Sequence, residues 1–325
     1  MKRFLIISVL ILSMIFASAA FSPAPAKTLK ALSFLPKNHM LCSMIHVWVK
    51  EVNNACKGKL KINWVGGPEV IPGFEQAEAL KNGVIQVSFL PAAYYKAMLP
   101  EANAIVLSRM TFAQERKPGG IWDYLVKKHE KINMRLEGTW LYDPFYLYVK
   151  KPVKGIKDLK GLRMRTASMY DSFMKRLGMV PITVKFGETY TALQRGLVDG
   201  FGWPTLGPRK WGWLDYCKYV IDIPFYTRQN TFMLFNLKTW NSLPKDVRDK
   251  IDQITIAFEP KMKAFFVKKI AEEKKKMAEK GLKRIKFSKA DTAAYLKAAN
   301  DAFWADLEKK IPKEVPTLKK LLGYK

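Results

Sequence analysis

Apolar positions along this chain alternate between the two-residue period of strands and the longer period of helices. Thr28–Leu35 reads as a strand, and Pro36-Lys37-Asn38 leads into an amphipathic helix over His39–Cys56 with Met40, Met44, Val47 and Trp48 at core spacing. Lys59–Val65 alternates as a second strand, Phe74–Asn82 is a helix stopped by Gly83, and Val84–Leu90 is a third strand. The same order returns over Gly161–Pro204. There a strand Leu162–Thr166, a helix Met169–Leu177 ending at Gly178, a strand Val180–Val184 and a helix Glu188–Arg195 ending at Gly196 precede a strand that starts at Leu197. Two β-α-β-α-β runs predict an α/β protein of two lobes, each a mostly parallel sheet flanked by helices.

Between the runs, Asn133–Leu141 and Phe145–Val149 read as long strands. After them come strands Tyr219–Ile223 and Thr231–Asn236, a helix Asp246–Phe258, a separate charged helix Lys261–Lys280 and a final helix Lys289–Lys309. The pattern assigns 27–145 mainly to lobe I and 146–235 mainly to lobe II, with 236–325 crossing the hinge and bracing both. Residues 1–26 read as a leader instead. A basic Met1-Lys2-Arg3 precedes apolar Phe4–Phe16, with cleavage expected after Ala19 or Ala26. No later run reaches the length of a membrane span, so an exported, periplasmic protein is expected.

Export changes how the charge is read. The formal charge is +28, which in an intracellular chain would suggest nucleic acid. Here the lysines spread along helices among glutamates, as on solvated faces, and no nucleic-acid partner is expected. Three cysteines are present. Cys42 and Cys56 share one helical run at roughly 20 Å, beyond disulfide reach, so free buried thiols are expected.

Catalytic signatures are missing. There is no GxSxG, Walker A, GxGxxG or HExxH, and three histidines leave few acid–base candidates. No enzyme activity and no cofactor are expected. His39, Cys42 and His46 have metal-capable spacing on one helix, but no fourth ligand lies nearby and no metal is expected. The pairs Glu75/Glu78 and Glu272/Glu273 read as solvated faces. Glu69 is different: it follows Gly66-Gly67-Pro68 where a strand end meets the cleft, as a lobe-closing contact or a ligand group. Arg165 projects from a strand end. Ligands of parallel α/β sheets sit beyond such ends, and a guanidinium there offers a fork for a carboxylate; the plainer reading is an interdomain salt bridge. Trp203-Pro204 at another strand end is hard to place in a core.

Two segments are more specific than any of this: Asp158-Leu159-Lys160-Gly161-Leu162-Arg163-Met164-Arg165, and Phe186-Gly187-Glu188-Thr189-Tyr190-Thr191-Ala192-Leu193-Gln194-Arg195-Gly196-Leu197-Val198-Asp199-Gly200. They resemble the DLKG-x-x-x-R and F-x-E-x-Y-x-AL-x-x-G-x-VDG patterns of the solute-binding subunits of tripartite ATP-independent periplasmic (TRAP) transporters, the DctP-like family. The resemblance runs from about Leu29 to about Leu307. It implies a periplasmic-binding-protein-like pair of lobes closing over an organic acid, with delivery to a small and a large membrane permease subunit. A monomer is expected, with a dimer left open. It also implies that Arg165 holds the ligand carboxylate and that Phe34, Pro91, Phe145, Ser168, Phe186, Trp203 and Asn230 occupy pocket positions.

Departures from sialic-acid-type members set the expected ligand class. Phe34 and Trp203 stand where those members have Asn, Phe145 where they have a second Arg, and Pro91 where they have an acid. A polyhydroxylated acid would strand its hydroxyls at about 1–3 kcal/mol each. An aryl- or indole-type acid, or a branched 2-oxo acid, would gain stacking instead. A dicarboxylate would need a second cation from Arg109, Arg135 or Arg228. The alternative function is a sensor that presents its ligand to a membrane kinase.

Overall fold

The computed structural model describes residues 26–166 and 169–324. The leader, apart from Ala26, and Ser168 lie outside the described residues. Within them, no helix is long and apolar enough to cross a membrane.

Eleven strands make two sheets. The first holds β1 (Lys27–Ser33), β2 (Leu60–Gly66), β3 (Val87–Pro91), β4 (Met134–Thr139) and β10 (Thr231–Asn236), in the order β2-β1-β3-β10-β4. The second holds β5 (Phe145–Val149), β6 (Arg163–Thr166), β7 (Val180–Thr183), β8 (Gly200–Pro204), β9 (Tyr219–Ile221) and β11 (Lys283–Ile285), in the order β11-β9-β5-β8-β6-β7. Each lobe has a parallel trio, β2-β1-β3 and β7-β6-β8. Each then adds an antiparallel strand that has just crossed from the other lobe, β10 against β3 and β5 against β8. The sheets are therefore mixed, and Thr231–Asn236 belongs to the first lobe, not the second. Strands β3, β5, β8 and β10 are buried at every position, whereas β2 alternates. That is the signature of central strands covered on both faces beside one half-exposed neighbour.

Two crossing segments, 140–144 and 222–230, form the hinge. They are tied side by side: Phe145 donates its N–H to Tyr226 O at 2.9 Å, Phe225 donates to Phe145 O at 3.1 Å, and Gln229 Nε2 donates to Asp143 O. The second apolar run does not start a strand at Leu197, because Leu197 is 49% exposed and pairing with β5 begins only at Gly200.

The C-terminal helices clamp the lobes. The two helices expected on either side of Pro260 are one helix, Lys245–Glu279, about 50 Å long at the standard rise. Pro260 lacks the N–H that would reach Ile256 O, and both residues face solvent, where water satisfies the freed carbonyl. Glu259 on this helix accepts Arg116 Nε and Nη2 at 2.7 and 2.9 Å in lobe I. About four turns further on, Glu273 accepts Arg209 Nε and Nη2 at 2.8 and 2.9 Å in lobe II. Glu273 is thus buried, not part of a solvated face; its half-buried neighbour Glu272 pairs with Lys269. The helix passes so close to β4 that a Cβ on Gly138 would lie 2.2 Å from Thr255 Cγ2. The helix Lys289–Lys310 packs on Asp171–Arg176 of lobe II and on Pro100–Leu107 of lobe I. Cys42, Cys56 and Cys217 are free and buried.

Candidate functional site

A cavity opens where the carboxyl ends of β1, β3 and β8 face each other across the hinge. Phe34 follows β1, Pro91 ends β3, and Trp203-Pro204 end β8. Leu141 and Phe145 enter from one crossing segment and Gln229, Asn230 and Thr231 from the other. The cavity is small, about 50 Å³, which is room for a few waters. Its walls are mostly rings: Phe34 meets Tyr94 edge-on at 5.5 Å, and Phe145 lies 6.0 Å from Tyr170.

Arg165 stands directly behind these walls. It points from β6 and is only 1% exposed. Its guanidinium carbon lies 5.1 Å from the Trp203 ring centre, and Nε donates to Val184 O at 3.1 Å. Nη1 is buried with no hydrogen-bond partner among the described residues. Among the described residues no carboxylate pairs with it, so the salt-bridge reading finds no partner there. Its charge is felt by the adjacent phenols. Burial raises the Tyr170 hydroxyl to about 12, while the Arg165 guanidinium pulls it back, first through its charge and also as a donor close to the phenol oxygen. The Tyr94 hydroxyl is likewise pushed up by burial and pulled back by Arg165.

The other expected positions divide. Phe34, Pro91, Phe145, Trp203 and Asn230 line the cavity. Asn230 Nδ2 is committed to Asn103 Oδ1 at 2.8 Å. Phe186 is not on the cavity surface; it stacks behind Trp203 at 5.7 Å and meets Trp211 at 5.0 Å. Glu69 is exposed and outside the site, because its Oε1 turns back to accept Gly67 N–H at 2.7 Å. The suggested second cations are also elsewhere. Arg228 forks onto Glu115 (3.2 and 2.6 Å), Arg109 covers the Tyr324 ring at 3.9 Å, and Arg135 faces Glu130, Glu137 and Asp252.

Sequence reasoning missed Tyr94, Tyr170, Gln229 and Thr231. Tyr94 and Tyr170 each sit a few residues past the end of a parallel strand, a signal that was available. Thr231 offers none, yet its Oγ1 is buried without a partner. Asp143 was also missed. Its carboxylate accepts Thr205 and Leu206 N–H at 3.0 and 2.7 Å, and burial raises its pKa to about 7 against the pull of those two donors. It fixes the turn that follows Trp203-Pro204.

No metal cluster forms from His39, Cys42 and His46. His39 Nδ1 accepts Leu41 N–H, Cys42 is in the core with its thiol pushed up by burial, and His46 is exposed against Trp64 at 4.6 Å. Among the described residues no three His, Cys, Asp or Glu side chains gather to hold an ion.

Two lobes joined by two crossing strands, with an apolar cleft backed by one buried guanidinium, define a solute-binding fold. The family model of DctP, bacterial extracellular solute-binding protein family 7, matches residues 33–310, and the chain belongs to that family. It is 27% identical over 221 residues to a monocarboxylate 2-oxoacid-binding periplasmic protein of Nostoc, spanning 64% of this chain and 59% of that relative's length. Its fold superposes on a TRAP periplasmic solute-binding protein of Desulfovibrio salexigens with bound orotic acid (TM-score 0.82, 20% identity, 91% of this chain and 97% of that chain). It also superposes on one of Roseobacter denitrificans with bound L-galactonate (TM-score 0.77, 18% identity, 92% and 99%).

Proposed function

We propose that this chain is the periplasmic solute receptor of a TRAP transporter and binds a compact apolar monocarboxylate. Its lobes close on the acid and present it to a small and a large permease subunit. The observation that carries this reading is Arg165, a fully buried cation with a free Nη1 and no acidic partner among the described residues. Burying an unpaired charge costs several kcal/mol, and an incoming carboxylate on Nη1 removes that cost. Such a site binds and releases its ligand.

The walls argue for the ligand class. Tyr170 has its hydroxyl proton on Gly202 O, and Gln229 and Asn230 each have one amide N–H engaged, by Asp143 O and Asn103 Oδ1. Thr231 Oγ1 is left to meet one polar group of the ligand. One carboxylate, one further acceptor and an apolar body describe a branched 2-oxo acid, and the small cavity favours it over an indole acid. The 2-oxoacid-binding relative points the same way; the galactonate-bound fold neighbour points to polyols, which these walls leave unpaired.

A thermal-shift panel tests this. 4-Methyl-2-oxopentanoate and phenylpyruvate should stabilise the protein, galactonate and succinate should not. Stabilisation by galactonate alone contradicts the ligand class, and no stabilisation by any acid contradicts the receptor reading.

A further inference from the structure

One buried titratable group lies outside the cavity and joins the lobes. His39 follows β1 in lobe I and is 3% exposed. Its ring stacks on Trp211 at 4.1 Å and 27°, and meets the Phe186 edge at 5.3 Å; both partners belong to lobe II. Phe186 in turn backs Trp203 of the cavity. A chain of rings therefore runs from the ligand wall across the lobe boundary to His39.

We propose that His39 is the clasp that holds the lobes closed over the ligand, and that protonation of its imidazole opens them. Nδ1 accepts the Leu41 N–H at 3.1 Å, so in the neutral ring the proton sits on Nε2, which is buried without a partner. A second proton has to enter at Nδ1. That turns the acceptor into a donor facing Leu41 N–H and places a cation in an apolar contact. Burial, with Lys210 next to Trp211, accordingly holds the imidazole well below its ordinary pKa.

The charged groups around the contact give no compensating anion. Arg209 is taken by Glu273, and Lys269 by Glu272 on the long helix beside Met40 and Ser43. Lys185 and Glu188, which flank Phe186, are exposed. Stacking of an imidazolium on Trp211 recovers part of the loss, but not the lost acceptor or the Lys210 repulsion.

In the open form Trp211 and Phe186 withdraw, and the ring returns towards the ordinary histidine value near 6.5. The closed form has the lower pKa, so closing releases a proton. The clasp is at full strength above about pH 6.5 and weakens as pH falls below it, by up to about tenfold per pH unit.

The test uses the full chain and 4-methyl-2-oxopentanoate as probe, by calorimetry at pH 7.5 and 5.5. That probe rests on the receptor reading above. The wild type should bind about tenfold more weakly at pH 5.5. His39→Phe, which keeps a ring, and His39→Asn, which keeps an acceptor for Leu41, should change by less than about twofold. Asp143 titrates in the same range, so the difference between wild type and variants is the readout. Equal losses in wild type and variants, or none in the wild type, overturn the clasp. If the probe does not bind at pH 7.5, the ligand reading fails, and small-angle scattering of the protein alone decides instead. Its radius of gyration should rise from pH 7.5 to 5.5 in the wild type and stay constant in His39→Phe; a constant radius in both overturns the proposal.

Discussion

Replacing Arg165 with methionine keeps most of the side chain's length and removes its charge. Without ligand, three contributions change. The Nε bond to Val184 O, from a charged donor, is lost, about 1.5–3 kcal/mol, and so is the contact with the Trp203 face, about 0.5–2 kcal/mol. Against these, an unpaired cation no longer has to stay buried, which is worth several kcal/mol. The variant should therefore be as stable as the wild type in urea, or more stable. Ligand binding should move the other way. A charge-assisted bond contributes about 1.5–3 kcal/mol, so affinity for 4-methyl-2-oxopentanoate should fall at least tenfold and by more than a hundredfold at the upper end. At a ligand concentration near 100 times the wild-type Kd, the wild type gains about 2.7 kcal/mol and the variant should gain about 1.4 kcal/mol at a tenfold loss and under about 0.5 kcal/mol at a hundredfold loss. Opposite signs are the test. A variant that loses more than about 3 kcal/mol without ligand would make Arg165 a structural residue. One that binds within threefold of wild type would remove it from the site.

Two other substitutions probe the frame. Asp143 is an acid whose folded pKa, about 7, lies above its ordinary value, so the folded protein holds its proton more tightly than the unfolded chain. Stability from this group is full below about pH 4 and is lost as pH rises through about 7. In Asp143→Asn the gap between urea stabilities at pH 5 and pH 8 should shrink by about 2–3 kcal/mol; an unchanged gap refutes the assignment. Gly138→Ala should cost about 1–3 kcal/mol by overpacking against Thr255. Adding Thr255→Ser, which removes Cγ2 but keeps the hydroxyl that accepts Trp48 Nε1, should recover part of it, and purely additive losses would refute the close-approach argument.

Periodicity carried both α/β cores, because each helix and strand of the two runs is set by local pattern and by glycine stops such as Gly83 and Gly178. What it could not carry was partnership. Thr231–Asn236 reads as a strand in any case, but only the three-dimensional crossing tells which sheet it joins. Pro260 reads as a break because sequence does not reveal that the carbonyl it orphans faces water. At the site, Arg165 and Trp203 were legible from the rule that ligands gather at carboxyl ends of parallel strands, whereas Phe34 and Pro91 came only from the resemblance to the solute-binding family. Phe186 sits one residue shell further out than expected, since Trp203 fills the space in front of it. Glu69 is drawn to the nearest unpaired backbone donor, that of Gly67, a local competition that spacing does not show. Asp143 and Thr231 passed unnoticed because their importance comes from burial, not from residue type.

The central claim is that a carboxylate completes Arg165. The most direct measurement is a crystal structure of the protein with the acid that stabilises it best. The account predicts a carboxylate oxygen within about 3.2 Å of Arg165 Nη1, with the apolar body against Phe34, Phe145 and Trp203. A ligand whose carboxylate lies on other groups, with Nη1 still unpartnered, would contradict it.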